Sequence, residues 1–508
     1  MSDEIITNRT YGHWQKPKSA GFKGLGTIGV AVLFIGCIIV IITMMTAGLL
    51  PAVIVGVFVA ALLVLIVVKD RHGSSVLDRA LVRGGWALAR NSKAHLYRSG
   101  AIGRTPRGTN QLPGILARSQ LHEFTDSWGR PFSLVHLPQT GHVSVILNAE
   151  PDGSGLTDRD VVDNQVALFG QWMASMADEP GLEAFSITVE TAPDTGTRLQ
   201  NEVEWAIDPH APAFALQVLR DVAATYPAGS SRVRVMLALT FTLGRTKRRR
   251  SLEEMGRTLA SRLPSLTDRL AGTGAGSVRP VTATELCSYV RTAYDPAVAT
   301  TIDEIDARTA RGFDATDTDP IGALSWDHVG PTATEAGWGH YRHDSAISTS
   351  YVMSEPPRGV VPDSILSALL TPHPDIARKR VTLLYQPIDP ARAASMVQND
   401  LRSARFNSNS ERMRNARSDH AYEAAQRTAD EEASGAGLVN FGMIVTSSVM
   451  NAADLNDADA AIATLGARSR IALRPAYGAQ DSAFAAGLPL GIIPSKHVKV
   501  PTELTVNL

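Results

Sequence analysis

Leu438–Ser447 reads LVNFGMIVTS, Ala453–Leu465 reads ADLNDADAAIATL and Arg470–Pro475 reads RIALRP. The outer two have strand character and the middle one has helical spacing. The same order stands just upstream: AISTSYVM over Ala346–Met353 is a strand, PDSILSALL over Pro362–Leu370 a helix, and Val381–Tyr385 a strand. Strand, helix, strand, given twice, is the ferredoxin-like order. A long charged helical region, Ala391–Ser434, is inserted in its middle.

The preceding part of the chain has a similar run of elements. Ile115–Phe124, Phe132–Leu137, His142–Asn148, Leu182–Glu190 and Arg232–Leu243 read as strands, Thr157–Asp178 as a helix, and Thr197–Ala224 as inserted helices. Ser251 with Glu254, and Thr282 with Glu285, are capping-box pairs that start helices. A polar stretch, Arg308–Pro320, marks a boundary. The expected fold is therefore α+β, with two ferredoxin-like modules carrying helical insertions, over 115–320 and 321–508.

Ahead of them, no Asp, Glu, Lys or Arg occurs between Lys23 and Lys69. A membrane span takes ~20 apolar residues, so the run predicts a transmembrane helical hairpin within 25–69, with spans at Ile28–Met45 and Ala52–Val68. Thr46, Ala47, Gly48 and Pro51 form the turn. Lys16, Lys18 and Lys23 precede the hairpin, and Lys69, Arg71, Arg79, Arg83 and Arg90 follow it. By the positive-inside rule, the basic tail 1–24, the basic juxtamembrane linker 70–114 and both termini are expected in the cytoplasm, with the linker against the anionic phospholipids of the inner membrane.

Charge is balanced over the 508 residues: Lys and Arg number 49, Asp and Glu 50, for a net charge of −1. That removes any argument for nucleic-acid binding from global charge. Two cysteines, Cys37 and Cys287, cannot build a disulfide framework or a cysteine metal site.

Catalytic signatures are sparse. The dipeptide Gly-Lys never occurs, which excludes a P-loop. Gly24, Gly26 and Gly29 fit G-x-G-x-x-G but open an apolar helix, outside any βαβ unit. No G-x-S-x-G elbow exists. His340, His343 and Asp344 form the densest polar cluster, read as a surface hairpin or, alternatively, as a hydrolase or transferase centre. Arg245 and Lys247 to Arg250 form a basic run after a strand, read as a solvated loop or a contact for headgroups or an acidic partner. No catalytic, cofactor-binding or metal residue is assigned, and no enzyme activity is expected.

Several phrases resemble a single group of proteins. They are Arg9-Thr10-Tyr11-Gly12-His13-Trp14, Glu190 to Gly196, His340 to Ser345, and Pro372-His373-Pro374-Asp375 leading into Arg378-Lys379-Arg380-Val381. The group comprises membrane proteins of actinobacterial integrative conjugative elements. The hairpin resembles the PrgI-type subunit of type IV secretion, and the remainder is similar to the non-motor half of the TraC-type secretion ATPase. In that class a segment like Phe484 to Gly491 lies just before the motor. The resemblance implies a non-catalytic inner-membrane scaffold for conjugative DNA transfer that docks a separate P-loop motor ATPase within a large complex. The insertion Ala391–Ser434 and the apolar tail from Phe484 to Val500 are the expected docking elements. A type VII secretion core subunit is the alternative.

Overall fold

The computed structural model describes residues 10–12, 14, 27–68, 75–101, 103, 105–151, 153, 155, 157–208, 210–225, 230–244, 251–310, 324–357, 359–410 and 416–497. The chain opens with β1 (Thr10–Tyr11) and the apolar helices α1 (Thr27–Ala47) and α2 (Leu49–Val67), followed by the amphipathic α3 (Val76–Asn91). α1 and α2 pack antiparallel: a Cβ on Gly36 would meet Val59 at 2.4 Å, and one on Gly56 would meet Val40 at 3.9 Å.

The structure does not bear out the expected transmembrane hairpin. Among the described residues, no helix is long and apolar enough to cross a membrane. The two-span inner-membrane localisation with both termini cytoplasmic rested on those spans and falls with them.

The first half runs β2 (Leu96–Arg98), β3 (Gln120–Thr125), β4 (Pro131–Leu137), β5 (His142–Glu150), α4 (Arg159–Ser175), β6 (Leu182–Pro193), α5 (Thr197–Ala206), α6 (Ala213–Thr225), β7 (Ser231–Thr242), α7 (Leu252–Asp268), β8 (Ser277–Pro280), α8 (Ala283–Tyr294) and α9 (Ala299–Ala310). Side-chain alternation sets the strands. Along β7, Met236 and Ala238 enter one core while Leu237, Leu239 and Phe241 enter the other. Helix starts follow local capping: Ser251 accepts from the Glu254 amide, and Thr282 and Glu285 close a full capping box.

The second half runs β9 (Ala333–Ala336), β10 (Tyr341–His343), β11 (Ala346–Glu355), β12 (Val361–Pro362), α10 (Ser367–Leu370), β13 (Arg378–Pro387), α11 (Pro390–Ser410), α12 (Ala416–Ala433), β14 (Val439–Val449), α13 (Leu455–Arg468), β15 (Ala472–Pro475) and α14 (Gln480–Ala486). β1 pairs with β12, so the chain ahead of α1 returns to this half.

The second correction concerns the expected modules. They are not separate units but parts of one 13-stranded sheet, ordered β2-β9-β10-β11-β14-β13-β6-β7-β5-β4-β3, with β15 on β11 and β8 on β5. All its strand pairings are antiparallel. The two halves wind alike, β8–β5–β7–β6 against β15–β11–β14–β13, and join where β6 pairs with β13. Pairing hides two strand edges that would otherwise present unpaired amides and carbonyls to solvent. α4 and α7 cover one face of the first half, and α13 covers one face of the second. α8 and the C-terminal segment lie on the opposite face.

That segment overturns a third expectation. Phe484, Leu488, Leu490 and Ile492 are core residues, not an exposed docking tail. Their backbone crosses a row of buried hydroxyls contributed by both halves. The Thr382 hydroxyl donates to the Gly487 carbonyl at 2.7 Å, and Thr240 donates to Gly491 at 2.9 Å. Ser144 pairs with Thr240 at 3.0 Å and Thr188 with Thr382 at 3.1 Å. A strap of apolar residues laid on a sheet still has carbonyls to satisfy, and these hydroxyls satisfy them. At Gly491 φ is +68°, and a Cβ would lie 2.1 Å from Ser144 Oγ, so only glycine fits. Gln480 fills the gap that β10 and β15 leave along the edge of β11: its Oε1 accepts from the Ser350 amide at 2.8 Å, and its Nε2 donates to the Ser350 carbonyl at 3.2 Å.

Candidate functional site: the seam between the halves

β6 and β13 are antiparallel, with Glu190 opposite Arg380 and Thr191 opposite Lys379. Period-2 geometry puts Arg378 and Arg380 on the face that carries Glu190 and sends Lys379 to the other. Arg378 donates to Glu190 Oε1 at 3.1 Å, Arg380 lies 3.5 Å from Oε2, and the Tyr289 hydroxyl from α8 donates to Oε2 at 2.6 Å. Burial alone would raise the Glu190 carboxyl. The charges of Arg378 and Arg380, with the Tyr289 hydrogen bond, outweigh it and hold the group below its ordinary value. Arg380 also lies over the Phe484 ring, 4.8 Å from its centroid, which ties the strap to the same cluster.

The cluster forms the inner wall of a cleft of about 230 Å³ bounded by β6, β7, α8 and α9. Its charges largely answer one another: Arg279 pairs with Glu285 at 2.8 Å and Arg232 with Asp303 at 3.6 Å. Arg234 lies over the Tyr289 ring at 5.4 Å. Burial and the neighbouring Asp303 push the Asp306 carboxyl up. Among the described residues, the cleft lining contains neither histidine nor cysteine. Such an arrangement fixes the two halves in register.

Lys379, on the far face, is 1% exposed and donates to the Thr371 carbonyl at 2.5 Å, at the C-terminal end of α10. Burial lowers its ammonium to about 8.

The structure separates His340, His343 and Asp344. Asp344 occupies the β10–β11 turn with φ +34°, accepts from the Thr332 amide at 2.8 Å and pairs with Arg291 at 3.0 Å. His340 is exposed, whereas His343 points inward and is 0% exposed. Its Nδ1–H donates to the Tyr294 carbonyl at 2.5 Å, so Nε2 accepts from Ser348 Oγ at 2.7 Å, which in turn lies 2.6 Å from Ser448 Oγ. A serine beside a histidine has the outline of an activated nucleophile, but Ser348 is fully buried and a carbonyl stands where a carboxylate would orient the base. No group of side chains able to hold a metal ion occurs among the described residues.

Burial lowers the His343 imidazole to about 4. In the unfolded chain the same group titrates near 6.5. Below that value the unfolded state binds the proton first, so stability should fall as pH drops from 6.5 toward 4, by up to ~3 kcal/mol. In His343→Gln, denaturant titrations at pH 7 and pH 4.5 should differ by ~2 kcal/mol less than in the wild type. An unchanged difference would assign the acid sensitivity to other groups.

Sequence reasoning missed the Glu190 cluster because its members lie far apart along the chain. The one available signal was Arg378-Lys379-Arg380, an alternating cationic triplet at the start of a strand that otherwise reads as buried. The basic run at 245–250, Gly24 and Gly26, and residues 498–500 of the expected tail lie outside the described residues.

Comparison with known proteins adds one match. A family model described as "Domain of unknown function (DUF8461)" matches residues 18–78, the part of the chain that contains α1 and α2. No curated protein matches the chain.

Proposed function

We propose that the chain is a non-catalytic scaffold subunit of a conjugative type IV secretion apparatus for DNA transfer, and that it docks a separate motor ATPase. The observation that supports this reading most is the helical insertion α11–α12. It leaves the sheet between β13 and β14 and packs largely on itself, burying Ala393, Val397 and Ala404 with Ala424 and Ala425. Its outer surface is charged, and on α12 Glu423, Asp430 and Glu431 are exposed. A self-supporting arm with a charged outer side suits recognition of a partner with complementary charge.

The test is made in donor cells lacking the gene. The wild-type chain should restore transfer and co-purify with a P-loop ATPase. The variant Glu423→Lys, Asp430→Lys, Glu431→Lys should retain its melting curve and reduce both by ~10-fold, which corresponds to ~1.4 kcal/mol of docking. ATP hydrolysis should follow the partner alone. Hydrolysis by the purified chain, abolished by a point substitution within it, would end the scaffold reading.

A further inference from the structure

β6 and β13 are antiparallel, with Lys379 opposite Thr191 and Tyr385 opposite Phe185. The insertion that follows β6 (α5–α6) and the insertion that follows β13 (α11–α12) therefore leave the sheet at opposite ends of the seam. Each exposes apolar side chains. On α6, Phe214, Val218 and Val222 recur at intervals of four residues and are 78%, 43% and 53% exposed. On α11, Phe406 is 72% exposed.

The charges beside these side chains have opposite sign. Asp221 adjoins Val222 on α6, with Glu202 exposed on the neighbouring α5. Arg402 and Arg405 are exposed beside Phe406 on α11. An apolar stripe bordered by acids at one end and an exposed phenylalanine bordered by arginines at the other are complementary surfaces on a single molecule.

We infer that α6 of one copy docks on α11 of a second copy, joining chains head to tail. The contact is heterologous, since two different patches meet, and it therefore propagates into a ring or an open row. Its reach is bounded by α6, whose 13 residues span about 20 Å. That places the contact below the ~1,200–2,000 Å² of a standard interface. Assembly should be concentration-dependent in the micromolar range. The inference rests on α6 and α11 and holds whether or not the chain serves secretion.

The test uses the full chain with Cys37→Ser, in a mild detergent that covers the exposed apolar faces of α1 and α2. Cys287 is buried and stays. The average mass should rise with concentration, and Phe214→Asp or Phe406→Asp alone should each leave a monomer with an unchanged melting curve. Mixed in equal amounts, the two variants should form a dimer and nothing larger, because one intact α6 meets one intact α11. In parallel, Val218→Cys should form a disulfide-linked dimer with Phe406→Cys and not with itself. A wild type that is monomeric at ~100 μM, a mixture that stays monomeric, or a Val218→Cys self-dimer would each overturn the proposal.

Discussion

Chains ending at Ala479 should fail to reach the native state. Phe484, Leu488, Leu490, Ile492 and Ile493 are all at most 6% exposed, and burying side chains of this kind contributes ~1.5–3 kcal/mol each. Their loss is on the order of 10 kcal/mol, comparable with the whole ~5–15 kcal/mol by which a domain is stable. Thr382 and Thr240 would also lose the carbonyls of Gly487 and Gly491 as acceptors. Soluble yield, near-ultraviolet circular dichroism and limited proteolysis of the truncated chain would each report the failure. Gly491→Ala probes the same contact without truncation: its Cβ would overlap the Ser144 and Thr240 hydroxyls and sit at positive φ. It should cost ~2–4 kcal/mol in urea titrations. A truncated chain with wild-type melting behaviour would restore the earlier picture of residues 484–500 as a free docking tail.

Glu190→Gln should destabilise the protein by ~3–5 kcal/mol, because it leaves Arg378 and Arg380, side by side on one buried face of β13, without their counter-charge. Both arginine side chains are largely buried, 12% and 3% exposed. Replacing all three residues by methionine should recover most of that loss, since the pairing and its desolvation cost disappear together. Urea titration of the single and triple variants distinguishes the two outcomes. A silent Glu190→Gln would mean that the β6–β13 backbone ladder and the strap hold the halves without the ionic cluster.

Much of the local structure was legible. Strands such as Phe132–Leu137 and Arg232–Leu243 lie within a residue of β4 and β7, because alternation is a property of neighbouring residues. Ser251 and Thr282 begin helices as read, since a cap is completed within one turn. Boundaries failed where a local turn intervened. Ile115–Phe124 was read as one strand, but Gly114–Leu116 is a 3-10 turn and β3 begins at Gln120. Pro362 opens no long helix, as only Ser367–Leu370 is α-helical there. The polar cluster at His340, His343 and Asp344 was legible as a cluster but not as a site, because strand alternation sends His343 inward while Arg342 stays exposed.

What the sequence determined by itself is the order of elements, the absence of a P-loop and the similarity of the two halves, all carried by patterns that a few consecutive residues complete. The tertiary structure alone decided that β6 pairs with β13, that Glu190 meets Arg378 and Arg380, and that residues 484–493 lie buried across both halves. A strand edge is made of backbone amides and carbonyls, which are the same for every residue and carry no code for a distant partner. The choice among edges is made by which pairing buries the most apolar surface and leaves the fewest charges unanswered.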